Sequence, residues 1–300
     1  MAWKGVHISQ PARLSLKDNQ ILVVQDTGEV CLALEDVAWV VLDTNQVSLT
    51  GTLLSAIADA GIVLVCTDSR HTPNGMMLPF HSHHRQAGVA AAQIETTAPF
   101  RKRCWQAIVV AKIENQAAHL RDCGREFSGL QAMAQRVGSG DQENMEARAA
   151  RAYWGLLFRD FIRANEDDIR NKMLNYGYAV VRAAVARAVV IHGLLPAIGL
   201  HHVSITNAFN LADDLVEPFR PFVDALVNQL SEGRDVQSSL QRSDRQALAG
   251  ILMHHCRVGS ERMTVLAATE RVAQSLVRSI EGASPALLVL PVFQRGAKGQ

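Results

Sequence analysis

The apolar residues of this chain change their period part-way along it. From residue 3 to about 43 they alternate with polar neighbours. Val6 is followed by Ile8 and Leu14 by Leu16, and Ile21–Val24 and Val30–Leu34 each follow a turn, Lys17-Asp18-Asn19-Gln20 and Asp26-Thr27-Gly28-Glu29. A period of two lines up apolar side chains on one face of a strand. Val37–Leu42 is apolar throughout, as in a strand covered on both faces. From Ser48 the spacing widens: Leu49, Leu53, Ile57 and Ala60 fit a helix capped by Ser48 or Thr50 and stopped by Gly61, before Ile62–Cys66 returns to strand. After Thr96–Pro99 the helical period persists almost to the end. This order of periods predicts an α+β fold, with an N-terminal β-rich domain over 1–85 that holds one helix and a hinge, and a larger all-helical domain over 86–300.

The hinge is His71–Arg85, where Pro73, Gly75 and Pro79 interrupt any period. Its His81-Ser-His-His has no acid or cysteine near it in sequence and reads as loop histidines outside any site. Beyond it the spacing predicts a helix over 100–123, a break at Gly138-Ser-Gly-Asp141 and a new helix capped by Asp141. A polar loop at Asn165–Asp168, the segment Ile169–Gly177 and a helix over Tyr178–His192 come next. A polar stretch at 231–245 precedes helical patterns around 246–257 and 260–281. No fixed period repeats, which excludes a solenoid.

Hydrophobic residues at 48% and charged residues at 20% suit an ordinary globular protein, and a net charge of +1 means that any nucleic-acid surface requires basic residues segregated onto one face. The five cysteines, at 31, 66, 104, 123 and 256, are odd in number and never form C-x-x-C. They predict reduced thiols and exclude a cysteine zinc site. The N-terminus lacks a signal-peptide pattern, and the most apolar stretch, 179–195, is broken by Arg182, Arg187 and His192. A soluble, cytoplasmic protein is expected.

The chemistry concentrates in residues 199–224, where His201 and His202 precede Asp213, Asp214, Glu217 and Arg220. If the segment from Leu211 is helical, Leu211, Leu215 and Phe222 face a core, and Asp214 shares a face with Glu217, as does Asp213. Neighbouring carboxylates repel, so either a divalent cation with His202 or His201 as nitrogen ligand offsets them, or they form a solvated acidic helix start. Glu146 is the second focus. It aligns with Ala149, Ala150, Tyr153 and Trp154 on an inward stripe, where a carboxylate must be paired with an arginine such as Arg182 or Arg220, or bound to metal. No nucleophile elbow, phosphate loop or dinucleotide fingerprint is present. His254-His255-Cys256, placed on a helix without a nearby acid, is set aside. Arg148 with Arg151, Arg159 with Arg163, and Arg101-Lys102-Arg103 are basic clusters of the kind a phosphodiester substrate requires.

Three segments carry a resemblance: Met145-Glu146-Ala-Arg-Ala-Ala-Arg-Ala-Tyr-Trp, Leu174-Asn175-Tyr176-Gly177-Tyr178-Ala179, and Gly199–Pro221. They resemble CRISPR-associated protein one, the integrase subunit of spacer acquisition, and the strand segments Leu14–Gln20 and Leu42–Thr50 agree. Gly-Leu-His-His followed by Asn-Ala-Phe-Asn-Leu-Ala-Asp-Asp-Leu resembles the type II branch. The resemblance implies a β domain followed by a helical one, and a metal site of Glu146, His202 and Glu217 that also carries the catalysis. Asp214 is the reserve ligand and His201 a neighbour. It implies Mg²⁺ or Mn²⁺, and attack of a DNA 3′-hydroxyl on repeat phosphodiesters, so that short duplexes are inserted into the CRISPR array. The implied partners are DNA (prespacer and repeat), a second copy in a homodimer, CRISPR-associated protein two, and the effector nuclease with other adaptation factors; no membrane is involved. Arg148 and Arg151, near Glu146, are the expected DNA contacts. Two rivals share these residues: a metal-dependent nuclease or phosphohydrolase without an integrase role, and a non-enzymatic DNA-binding scaffold.

Overall fold

The structure, a computed structural model, describes residues 4–79 and 83–293. Residues 81 and 82 of the His81–His84 cluster lie outside them. The N-terminal part folds as β1 (Lys4–Ile8), β2 (Ala12–Lys17), β3 (Gln20–Gln25), β4 (Gly28–Ala33), β5 (Val37–Leu42), β6 (Val47–Leu49), α1 (Gly51–Asp59), β7 (Val63–Thr67) and β8 (Pro73–Met77). One sheet runs β4-β3-β2-β6 and another β1-β5-β7-β8. Strands β1, β5 and β7 are parallel, and β8 returns antiparallel to β7. The expected hinge at 71–85 is therefore partly strand: paired with β7, the segment at Pro73–Met77 has its backbone bonds on a sheet edge, where proline is tolerated.

Strand β5 explains how the two parts join. All six of its residues are buried. Val40 and Leu42 point into a core with Leu14, Ile21, Leu53 and Ile57, while Trp39 and Val41 enter the core of the helical part. Alternation across a strand sends its two faces to two cores. Of the two expected caps of helix α1 it is Thr50 that serves, its Oγ1 accepting from the Leu53 N–H at 3.3 Å, so Leu49 ends strand β6 rather than opening the helix, and Gly61 takes φ +64° beyond its end.

The rest is mostly helical: α2 (Gln86–Ile94), α3 (Ala98–Asp122), α4 (Ser128–Gln135), α5 (Met145–Leu157), α6 (Ile169–Ile191), α7 (Asn210–Val216), α8 (Arg220–Leu230), α9 (Arg242–Ala249) and α10 (Val265–Glu281). It is not wholly helical. Strands β9 (His255–Val258), β10 (Glu261–Thr264) and β11 (Pro291–Val292) form a small antiparallel sheet ordered β10-β9-β11. His255-Cys256 is therefore on a strand, with Cys256 buried and His255 exposed in the alternation of a half-covered sheet. Where two segments were expected at 169–192, there is one helix, α6. It is long and apolar, but most of it is buried inside the protein, where it serves as the central core helix. Gly177 lies in its middle because a Cβ there would collide with Val223 of α8. Close helix packing outweighs the propensity cost of an interior glycine.

The two parts are also joined by charge. Asp43, after β5 and fully buried, accepts from Arg245 Nε of α9 at 2.8 Å and faces His7 Nε2 at 3.4 Å and His71 Nδ1 at 3.2 Å. Burial raises the Asp43 pKa, but the hydrogen bonds from His7 and Arg245 outweigh it and hold the carboxyl below its ordinary 3.8. Asp43→Ala strands a buried guanidinium and is expected to cost roughly 3–5 kcal/mol, read as a lower urea midpoint at pH 7. Because the folded pKa is depressed, the stabilisation is present above pH 3.8 and is lost as pH falls through the lower folded value. The gap between wild type and variant should therefore close only in that acid range.

Candidate active site

Helices bring Glu146 and Glu217 together, and a separate loop carries His202. Helix α5 begins sharply: Asn144 is left-handed at φ 52°, and the Asp141 carboxylate accepts from the Met145 N–H at 2.8 Å and the Glu146 N–H at 3.0 Å. Asp141 thus caps from outside the helix, as the sequence suggested, with the first turn starting at Met145. Met145, Ala149 and Tyr153 are fully buried, which places Glu146 on the rim of that stripe. Glu217 follows α7 in a 3-10 turn, Glu217–Phe219, ahead of α8. Pro218 and Pro221 lack the N–H that a continuous helix needs, so the acidic segment bends and Glu217 turns inward. Leu211, Leu215 and Phe222 face the core as expected.

The two glutamates converge on one cation, the ammonium of Lys112 from α3. Lys112 Nζ lies 2.5 Å from Glu217 Oε2 and bonds Glu146 Oε1 as well. Arg220 Nε donates to the other oxygen of Glu217 at 2.7 Å. Burial would raise the Glu217 pKa, but Lys112 and Arg220 outweigh it and hold the carboxyl down at about 2. Two carboxylates and two cations make the centre neutral. The expected alternative partners of Glu146 are occupied elsewhere: Arg182 with Asp213, and Arg220 with Glu217.

The histidine loop is built separately. Asp214, fully buried, accepts from the N–H groups of Leu200 at 2.6 Å, His201 at 3.0 Å and His202 at 3.1 Å, and from His202 Nδ1 at 2.7 Å. Gly199 is required because a Cβ would strike the His202 carbonyl and the Asp214 carboxylate. His201 stacks flat on Trp105, with ring centroids 4.2 Å apart, while His202 meets Trp105 edge-on. With Nδ1 bound to a carboxylate, His202 presents Nε2, the arrangement usual in metal-ligating histidines. The Asp214 hydrogen bond raises the His202 pKa against burial, and Glu217 lies near enough to add to the rise. Asp213, Asp214 and Glu217 therefore do not share a cation: each faces its own partner, Arg182, His202 or Lys112. The reserve ligand Asp214 is fully engaged in holding the histidine loop.

Among the described residues, no three His, Cys, Asp or Glu side chains already converge as a metal cage. The donor set nevertheless fits a hard divalent cation. Two carboxylates meet at a position already filled by positive charge, and an imidazole held by Asp214 lies near enough to Glu217 to feel its charge. Next to the centre is a cavity of about 230 Å³ lined by Glu146, Glu217, Lys112, Arg163, Arg220 and Asp224 among others. Arg220 and Arg163 lie over the Tyr178 ring at 4.5 and 5.6 Å. Arg148 and Arg151 are exposed on the outer side of α5. Sequence reasoning missed Lys112, although it interrupts the apolar positions Ile108, Val109 and Ile113 of α3 in the same way that Glu146 interrupts its own stripe.

The family model described as CRISPR associated protein Cas1 matches residues 6–257. The chain belongs to the Cas1 family. It is 36% identical over 293 residues to the CRISPR-associated endonuclease Cas1 of Neisseria meningitidis serogroup C, covering 97% of this chain and 96% of that one. A second relative, CRISPR-associated endonuclease Cas1 2 of Pyrobaculum aerophilum, is 26% identical, covering 91% of this chain and 97% of that one. A Cas1 protein from Thermotoga maritima shares the fold with TM-score 0.73 at 16% identity, covering 98% of this chain and all of that one. So does a casposase bound to integration product, at TM-score 0.76 and 17% identity, covering 95% of this chain and 92% of that one. The Cas1 order of a strand-rich part followed by a mostly helical one is the architecture described above.

Asp224, at the back of the cavity, accepts a hydrogen bond from the Tyr178 hydroxyl, while its Oδ2 has no partner. Burial raises its pKa to about 7, a rise that the Tyr178 hydroxyl only partly offsets. A raised carboxyl pKa makes ionisation costly to the fold, so wild type loses stability as pH rises from the ordinary 3.8 through about 7. Asp224→Asn cannot ionise. It should melt higher than wild type at pH 8 and lose that advantage near pH 4, as measured by thermal unfolding.

Proposed function

We propose that the chain is a divalent-metal-dependent DNA integrase and endonuclease of CRISPR adaptation, which joins short duplexes to the repeats of a CRISPR array. The observation that carries this reading is the meeting of Glu146 and Glu217 at one cation, with a histidine whose Nδ1 is fixed by Asp214 close enough to feel the charge of Glu217. Family membership gives the biological setting, and the curated Neisseria relative is named an endonuclease. The fold shared with a casposase solved on its integration product is in keeping with strand joining.

Glu146, Glu217 and His202 Nε2 would hold Mg²⁺ or Mn²⁺, which when bound would stabilise charge on the phosphodiester and lower the pKa of the attacking hydroxyl. The protein's own task is positioning. The incoming 3′-hydroxyl releases its proton to solvent as its oxygen bonds to phosphorus in line with the bond that breaks, and the departing 3′-oxygen takes a proton from solvent. Arg220 and Arg163 beside the cavity supply positive charge where the phosphate lies. Water in place of the 3′-hydroxyl turns joining into cleavage at the same centre. The partners proposed are prespacer and repeat DNA, a second copy of the chain, and CRISPR-associated protein two with further adaptation factors including the effector nuclease. The solved Cas6-RT-Cas1–Cas2 complex, whose matched chain has this fold at TM-score 0.72 over 98% of the present chain, gives a precedent for assembly with Cas2. The motif at 199–215 favours the type II branch.

The test is a joining assay with a labelled short duplex, a repeat-bearing plasmid, the small partner and Mn²⁺ or Mg²⁺. Wild type should give joined product that chelation abolishes, and Glu146→Ala, His202→Ala and Glu217→Ala should each lower the rate by at least about a hundredfold. Joining that survives all three would move the site; cleavage without joining would leave only the nuclease. Arg148→Ala with Arg151→Ala should reduce the salt dependence of DNA affinity, by roughly one in the log–log slope for each phosphate left without its arginine.

A further inference from the structure

Lys112 occupies the place that the proposed centre needs for its metal. Its side chain is buried, about 7% exposed, and its ammonium bridges the two carboxylates that would be ligands. With Arg220 on Glu217 the centre is already neutral. A divalent cation added to this arrangement puts a like charge against the ammonium at contact distance, which buried surroundings make strongly unfavourable. Either the metal stays out or Lys112 leaves.

The cavity provides somewhere for it to go. Among the described residues only two buried side-chain atoms lack a hydrogen-bond partner, Gln116 Oε1 and Asp224 Oδ2. Both residues line the same cavity as Lys112, and both are almost wholly buried, at 2% and 1% exposure. Gln116 is one helical turn beyond Lys112 on the same face of α3. Orphan acceptors in a buried cavity are costly, and an ammonium carries three donors and no acceptor.

We propose that Lys112 is a resident counter-ion with two seats. In the metal-free protein it neutralises Glu146 and Glu217. When a divalent cation binds, the ammonium swings, still protonated, to Gln116 Oε1 and Asp224 Oδ2. Lys112 is thus a positioning residue that keeps the carboxylates converged while empty and sets the metal affinity. This inference rests on the metal-dependent reading above and specifies how that centre is loaded. It also makes DNA a helper of metal binding, because the phosphate brings negative charge to a centre that Lys112 and Arg220 have otherwise balanced.

The experiment is a titration of Mn²⁺ followed by loss of the free-ion electron paramagnetic resonance signal, at pH 8 without DNA. Wild type is compared with Lys112→Met, Asp224→Asn and Glu146→Gln, each checked for native near-ultraviolet circular dichroism. Lys112→Met removes the competitor and should bind Mn²⁺ about tenfold more tightly or better, the worth of one charge-assisted hydrogen bond. Asp224→Asn keeps the fold and removes the charge of the second seat, so it should bind several-fold more weakly than wild type. If Lys112→Met does not fold, the Asp224→Asn result decides alone. Binding by Lys112→Met no tighter than wild type, or by Asp224→Asn no weaker, overturns the two-seat proposal; if Glu146→Gln still abolishes binding, the metal centre itself stands. Absence of Mn²⁺ binding by every protein, with DNA present as well, overturns both readings.

Discussion

The convergence of two carboxylates from different helices on one buried cation is the constraint on which this structure turns. Glu146 and Glu217 could not face each other across a buried gap without positive charge between them. Lys112 supplies it from α3 and Arg220 from α8, so three helices are tied at one point. The surrounding choices follow from that need. Pro218 and Pro221 break the helix where Glu217 must turn, and Gly177 lets α6 and α8 approach. Asp141 fixes the start of α5 so that Glu146 lies on its first turn.

A second, independent device holds the histidine. Asp214 collects three backbone N–H groups and the His202 imidazole, leaving Nε2 as the ring nitrogen on offer. Trp105 from α3 braces the loop by stacking on His201. The same helix therefore carries both the cation between the glutamates and the platform beneath the histidines. Fixed placement of this kind is what the phosphoryl transfer proposed for this centre would require, since positioning and electrostatics supply most of its catalysis.

Much of this was legible in the sequence. Alternation in the first strands, the apolar run of β5 and the helical period after residue 96 gave the order of a strand-rich part before a helical one. A carboxylate on the inward stripe of α5 singled out Glu146. What was not legible depends on pairings between segments distant in sequence. Lys112 lies 34 residues before Glu146 and 105 before Glu217, and nothing local announces their meeting. The acids at 213, 214 and 217 look alike by spacing, yet the tertiary fold gives them an arginine, a histidine and a lysine in turn. Strands β8 to β11 escaped because proline, glycine and paired histidines mask their alternation, and these short strands are held by pairing to their neighbours rather than by propensity.

The most direct test of the central claim is a crystal structure of the Mn²⁺-loaded protein with short duplex DNA, measured for anomalous scattering. The account predicts one anomalous peak bonded by carboxylate oxygens of Glu146 and Glu217 and by His202 Nε2, with Asp214 still on Nδ1. A peak elsewhere, or none with Lys112 still between the glutamates, would contradict it.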